Sequence, residues 1–132
     1  MAYLIDTNIW SFLQRRSSDQ LLQRFAKLTA EQVFLSPVVR GELETGYLKG
    51  DRAPARRVAI DYIVQSTQHL TIDQDVALRY AKLRTALETA GTPIGRNDTW
   101  IAAEALHHGL TIVTDNTQEF KRVPKLKVEN WM

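Results

Sequence analysis

The chain contains no cysteine. That excludes disulfide staples, thiolate zinc sites and a cysteine nucleophile, and leaves carboxylates and three histidines as the available metal ligands. Hard, oxygen-seeking cations are then the class to expect. Nor is there an apolar run approaching the roughly 20 residues of a membrane span. The N-terminus lacks a basic region followed by a cleavable apolar stretch, so the expectation is a cytoplasmic protein with no membrane contact. There is no GxxxxGK loop for nucleotide phosphates and no Gly-x-Ser-x-Gly elbow for acyl transfer. Neither sign of charge is in excess: nine basic residues face seven acidic ones over residues 1–66, and eight face eight over 67–132, for a net charge of +2. No repeat, low-complexity tract or linker interrupts the 132 residues, a length that suits one domain, 1–132, around one core.

The apolar pattern predicts an α/β architecture. Ala2–Asp6, Val33–Ser36, Leu70–Ile72 and Leu110–Thr114 have the near-continuous apolar character of buried parallel strands, with a weaker fifth at Leu126–Val128. Helical spacing lies between them. Val76, Tyr80, Leu83 and Leu87 mark a helix over Gln74–Ala90 that Gly91 can stop, and Leu21, Leu22, Phe25 and Leu28 mark another from about Asp19. Ser36-Pro37 supplies an N-cap and a first-turn proline for a helix through Glu42 toward Gly46; Pro54–Gln65 and Asp98–His108 complete the set. Alternating elements of this kind imply helices on both faces of a mostly parallel sheet, with ligands bound beyond the C-terminal ends of the strands. Between the third and fourth strands two helices follow one another, and the seven residues Gly91–Asn97 reach at most about 24 Å to reposition the chain.

Four acidic residues fall near that edge. Asp6 ends the first strand, Glu42 lies in the helix after the second, Asp98 opens the helix "DTWIAAEAL", and Asp115 follows "LTIV" at the end of the fourth strand. Each has an ordinary structural explanation. Asp6 or Thr7 can cap the following helix, Asp98 can be an N-cap in competition with Asn97, Glu42 can be a solvated residue beside Glu44, and Asp115 can belong to turn chemistry with Asn116 and Thr117. Their agreement in position argues for more, because like charges gathered at one rim repel unless a cation or a basic partner neutralises them. Carboxylates of this kind suit Mg²⁺ or Mn²⁺, which serve in-line phosphoryl displacement, so metal-dependent phosphodiester hydrolysis is the expected chemistry. A metal-free, two-histidine ribonuclease is disfavoured: His107 and His108 are adjacent on a helix and diverge by about 100°, and His69 precedes a strand.

Four stretches, "LIDTNIW", "SPVVRGELETG", "GTPIGRNDTWIAAEAL" and "GLTIVTDNTQEFKRVPKLKVENW", occur in this order over the whole length. Together they resemble the PIN-domain ribonuclease toxins of the VapC type, the toxic half of toxin–antitoxin pairs. The resemblance implies a three-layer α/β/α sandwich with a five-stranded parallel sheet. It also implies an Mg²⁺- or Mn²⁺-dependent endoribonuclease whose acidic pocket corresponds to Asp6, Glu42 and Asp98. Asp115 or Asn116 stands for the fourth acidic position, and Thr7 and Asn8 match groups that orient Asp6. Homodimers, a small VapB-like antitoxin that can place a basic side chain in the pocket, and an RNA substrate, often transfer RNA, are implied with it. Arg40, Arg56, Arg57, Arg96, Lys121 and Arg122 are candidates for phosphate contacts. The alternative is a catalytically weak RNA- or protein-binding module. A phosphotransfer enzyme with Asp6 as nucleophile is disfavoured because Asn8 stands where such enzymes have a second aspartate.

Overall fold

In the computed structural model, which describes residues 1–132, the first strand, β1 (Tyr3–Ile5), lies at the centre of a five-stranded sheet. β2 (Val33–Leu35) and β4 (Thr111–Val113) flank it, β3 (Gln68–His69) and β5 (Val128–Glu129) form the edges, and all four pairings are parallel. Every residue of β1 and of β4 is buried, so both faces of the sheet are covered by helices, as an all-parallel sheet requires. The helices are α1 (Thr7–Arg15), α2 (Asp19–Ala26), α3 (Pro37–Lys49), α4 (Pro54–Ser66), α5 (Gln74–Thr89), α6 (Arg96–His108) and the short α7 (Thr117–Phe120).

Because the strands run the same way, their C-terminal ends share one edge, and α1 and α3 start there directly from β1 and β2. Asp6 caps α1 through its side chain, and Ser36 caps α3 ahead of Pro37. The chain reaches the same edge again through α6. Its C-terminus ends at Gly109, whose φ of +67° is the left-handed conformation that glycine adopts without strain, and the next residues enter β4. The N-terminus of α6 therefore points back to the C-terminal edge, about 20 Å away along a 13-residue helix. Residues 90–95 make the reversal from α5. Tyr80 of α5 stacks on Trp100 of α6, with centroids 3.7 Å apart and planes 9° from parallel, which fixes the pair near the end that carries Asp98.

The structure departs from the expected elements at the sheet edges. The third strand is Gln68–His69 rather than Leu70–Ile72. Leu70 is buried and its amide still bonds to the Leu35 carbonyl, but Thr71 and Ile72 turn outward toward Asp73, the cap of α5. The fifth strand is Val128–Glu129 rather than Leu126–Val128. α3 continues past Gly46 to Lys49, and α6 begins at Arg96 with Gly95 as its cap, so Asp98 lies inside the first turn and neither it nor Asn97 is the N-cap.

α6 is buried along Thr99, Ile101, Ala102, Ala103, Glu104 and Ala105. Among these small and apolar residues Glu104 is fully buried; its Oε2 accepts the Ser36 hydroxyl at 2.5 Å and its Oε1 has no partner. Burial pushes this carboxyl up to about 7, only partly opposed by the Ser36 hydrogen bond. A carboxyl whose folded value lies above its ordinary 4.5 binds more protons folded than unfolded between those values. Stability therefore falls as pH rises from about 4.5 to about 7 and is level beyond. Glu104→Gln keeps an acceptor for Ser36 and removes the titration. Urea unfolding at pH 8 should show the variant more stable than wild type by about 2–3 kcal/mol, with the two converging near pH 4. A variant less stable than wild type at pH 8 would overturn this account of Glu104.

Candidate active site: a carboxylate pocket at the sheet edge

Asp6 is the innermost acidic residue, 7% exposed, and it is clamped from several directions. Its amide bonds to the Val113 carbonyl and so extends the β1–β4 ladder by one step. Its Oδ1 accepts the Thr7 amide at 2.8 Å, the capping interaction of α1, and its Oδ2 accepts the Thr114 hydroxyl at 2.8 Å. Capping and a role in the pocket are thus compatible, because the two oxygens face different partners. Burial raises the Asp6 pKa; the bonds from Thr114 and Thr7 oppose that rise, and the charges of Glu42 and Asp115 add to it.

Glu42, one and a half turns into α3, is joined to two other helices. The Thr7 hydroxyl donates to its Oε1 at 2.6 Å, and Asn97 Nδ2 donates to its Oε2 at 3.5 Å. Asp98 comes from the first turn of α6, half-buried, and its side-chain partner is another carboxyl, Glu119. Burial, then the charges of Asp6, Glu119 and Glu42, then a hydrogen bond with Glu119, push its carboxyl up to about 7. The pocket therefore retains a proton near neutrality, the expected behaviour of clustered carboxylates that lack a counter-charge.

Asp6, Glu42 and Asp98 are thus brought together, and the structure adds a residue that sequence reasoning missed. Glu119 of α7 is half-buried, faces Asp98, and accepts Asn116 Nδ2 at 2.5 Å. Asp115, by contrast, is exposed and acts on Asp6 only as the last of the charges raising it. Asn116 is a support for Glu119, and its own amide bonds to the Thr114 hydroxyl at 3.0 Å. Thr7 orients both Asp6 and Glu42, whereas Asn8 is exposed and its side chain makes no hydrogen bond. The sequence signal for Glu119 was the buried Phe120 beside it, which pins a short polar segment against the core. Thr114, a fully buried hydroxyl directly after a strand, was a signal of the same kind.

Among the basic candidates, Arg40 and Arg57 are committed to Glu44, and Arg57 also to Asp61. Arg122 donates to the Pro93 carbonyl at 2.8 Å and braces the loop before α6. Arg56, Arg96 and Lys121 are exposed with no carboxylate partner.

The donor set of the pocket is carboxylate oxygen with hydroxyl and amide support, which fits a hard divalent cation. Asp98, bonded to one carboxyl and facing three in all, is the group that such an ion would satisfy. A second grouping, Asp73, Asp75 and His107, is the only one whose three donor atoms lie within 4.8 Å of one another; the pocket carboxylates stand farther apart as a set. Asp73 is the cap of α5, bonded to the Val76 amide. His107 sits at the far end of α6 from Asp98, about 14 Å along the helix. This exposed grouping is therefore separate from the pocket.

Known proteins match this chain over nearly its whole length. The PIN domain family matches residues 3–126. Ribonuclease VapC2 of Rickettsia felis is 32% identical, with 99% of this chain and 98% of that protein covered. The tRNA(fMet)-specific endonuclease VapC of Salmonella typhimurium is 30% identical over the same shares. Among solved structures, VapBC2 from Rickettsia felis bound to a promoter DNA fragment superposes with a TM-score of 0.88, at 29% identity and full coverage of both chains. DNA-bound VapBC from Salmonella typhimurium gives 0.91 at 27% identity, covering 100% of this chain and 99% of that one. The chain belongs to the PIN-domain family, among its VapC ribonucleases.

Proposed function

We propose that this protein is the toxin of a type II toxin–antitoxin pair, an endoribonuclease that hydrolyses RNA phosphodiester bonds with Mg²⁺ or Mn²⁺ held at Asp6, Glu42 and Asp98, with Glu119 beside them. The observation that carries the reading is Asp98: a half-buried carboxyl whose partner is another carboxyl, Glu119, and which is pushed up to about 7 among three like charges. The VapC relatives named as ribonucleases, one of them specific for tRNA(fMet), support RNA as the substrate and transfer RNA as its class. The VapBC complexes support a small antitoxin as partner. A basic antitoxin side chain placed in the pocket would satisfy Asp98 in place of a cation, so inhibition and catalysis would compete for the same charge.

Each residue has its task. Asp6 is the fixed carboxylate, held by the Thr7 amide and the Thr114 hydroxyl. Glu42 is oriented by Thr7 and Asn97, and Glu119 by Asn116. Asp98 and Glu119 complete a negative wall that orients water for in-line attack on a phosphate and can hold its proton. A divalent ion, when bound, supplies the charge that offsets negative charge developing on the phosphate and lowers the pKa of water. Asp115 at the rim remains a candidate outer ligand. The PIN match over residues 3–126 supports a single domain spanning 1–132. No helix is long and apolar enough to cross a membrane, which is in keeping with action on RNA in the cytoplasm. Exposed Val58 and Tyr62 on α4 and Leu78 on α5 offer apolar area for the expected homodimer.

Freed of antitoxin, the protein should cleave transfer RNA in Mg²⁺ and stop in EDTA. Asp6→Asn, which preserves the cap of α1, should lose at least about a hundredfold in rate. Cleavage that survives both changes would sink the mechanism, and RNA binding without turnover in any divalent metal would favour a binding module. A second consequence concerns stability. In EDTA at pH 8, Asp98→Asn should unfold several degrees above wild type, about 2 kcal/mol, because one of the opposed carboxylates is gone. Mg²⁺ should raise the melting temperature of wild type and leave that of the variant nearly unmoved. A variant that melts below wild type in EDTA would show that Asp98 is not under charge strain.

A further inference from the structure

A groove of about 250 Å³ opens from the carboxylate pocket, with Thr7 and Glu42 at its inner end. One wall is α1, which contributes Gln14 and Arg15; the other is formed by Tyr47 of α3 and Arg56 of α4. From Thr7 to Arg15 the α1 wall runs about 12 Å. We propose that this groove is the binding channel for the RNA strand flanking the scissile phosphate, with Arg15 and Arg56 as its phosphate contacts. The inference rests on the endoribonuclease reading above and adds the path of the substrate.

Three observations support it. First, the two guanidiniums are uncommitted. Arg24, Arg40, Arg57 and Arg84 all pair with carboxylates, whereas Arg15 and Arg56 are exposed and have none; Arg15 only lies 5.2 Å over the Phe12 ring. Second, they stand where electrostatics requires them. A polyanion approaching Asp6, Glu42 and Asp98 meets repulsion, and two fork-shaped donors lining the groove that leads from Glu42 offset it while leaving the acidic pocket clear. Third, the wall opposite α1 is braced. Tyr47 is held by Arg57 stacked 4.8 Å from its ring centre, with Arg57 itself anchored on Glu44.

The chemistry of this groove differs from that of its neighbour between α1, α2 and α4. That one is lined mainly by Trp10, Phe25, Leu28, Val33 and Tyr62 and offers phosphate no charged side chain. Polar walls with two free arginines favour a nucleic-acid strand over an apolar protein segment.

The test uses Asp6→Asn protein, which holds RNA without cutting it, and bulk transfer RNA as the probe in a potassium chloride titration. Arg15→Gln and Arg56→Gln should each weaken binding several-fold at low salt and flatten the log–log salt slope by about 0.7 to 1, additively in the double variant. Arg→Lys at either position should restore most of the slope. Binding and slope equal to those of the Asp6→Asn parent, whether tight or absent, would overturn the inference. So would loss of antitoxin binding with RNA binding intact, which would assign the groove to the protein partner. Cleavage by wild-type protein is read separately: if it occurs while the slopes coincide, the channel is wrong and the nuclease stands; if it fails in every metal, the nuclease reading itself falls.

Discussion

Asp6 is held from two sides, by the Thr7 amide on one oxygen and the Thr114 hydroxyl on the other. That clamp allows a nearly buried carboxylate to persist beside Glu42, Asp98 and Glu119. Without donors a buried charge would take up a proton or expel its neighbours; with them, the repulsion is passed on to Asp98, the one member of the group whose partner is itself a carboxyl. The fold thus stores its electrostatic conflict at a single side chain. It does so at the edge where the three helices α1, α3 and α6 begin, so the conflict can be relieved only by something that enters from outside.

Holding such a site together requires that helices from distant parts of the sequence keep their relative positions against mutual repulsion. α3 and α6 carry Glu42 and Asp98, and they are tied twice: at the rim by Asn97 on Glu42, and in the interior by Ser36 on Glu104. The Tyr80–Trp100 stack binds α6 to α5, and the bond from Arg122 to the Pro93 carbonyl anchors the loop that aims the helix. Glu104 is an uneasy member of this set, because a fully buried acid with one unpartnered oxygen sacrifices stability for a polar link between two helices. Its position directly behind the carboxylate edge fits the general pattern in which strain is tolerated where geometry matters most.

What the sequence made legible, and what it did not, follows from burial. β1 and β4 are sandwiched on both faces, so their apolar runs were plain. β3 is exposed at both of its residues, and β5 is an edge strand only half-buried, so periodicity pointed to the nearest apolar residues instead, two positions late in one case and two early in the other. Asp6, Glu42 and Asp98 could be grouped because each lies at a fixed offset from a recognisable strand or helix start. Glu119 could not. It is one of several polar residues in "TDNTQEF", and only the seating of Phe120 in the core decides that this carboxylate, rather than Asp115, turns inward. Thr114 was hidden for a related reason, since a hydroxyl at a strand end reads as ordinary until its partner, 108 residues earlier in the chain, comes into view.

The pocket and its surroundings divide the recognition problem by charge. A negative floor repels RNA and attracts cations or basic side chains, so specificity for RNA must reside beside the floor rather than in it. α1 joins the two regions: its first residue orients Asp6 and Glu42, and its last faces the groove as Arg15. An adjoining face of the same helix contributes Trp10 to the apolar groove next to α2 and α4. One helix therefore touches the acidic pocket, a basic polar channel and an apolar cleft, three surfaces with different natural occupants. A protein segment filling the apolar cleft and reaching the pocket with a basic side chain would pass along α1 within reach of the channel. Substrate and inhibitor would then be mutually exclusive by geometry as well as by charge.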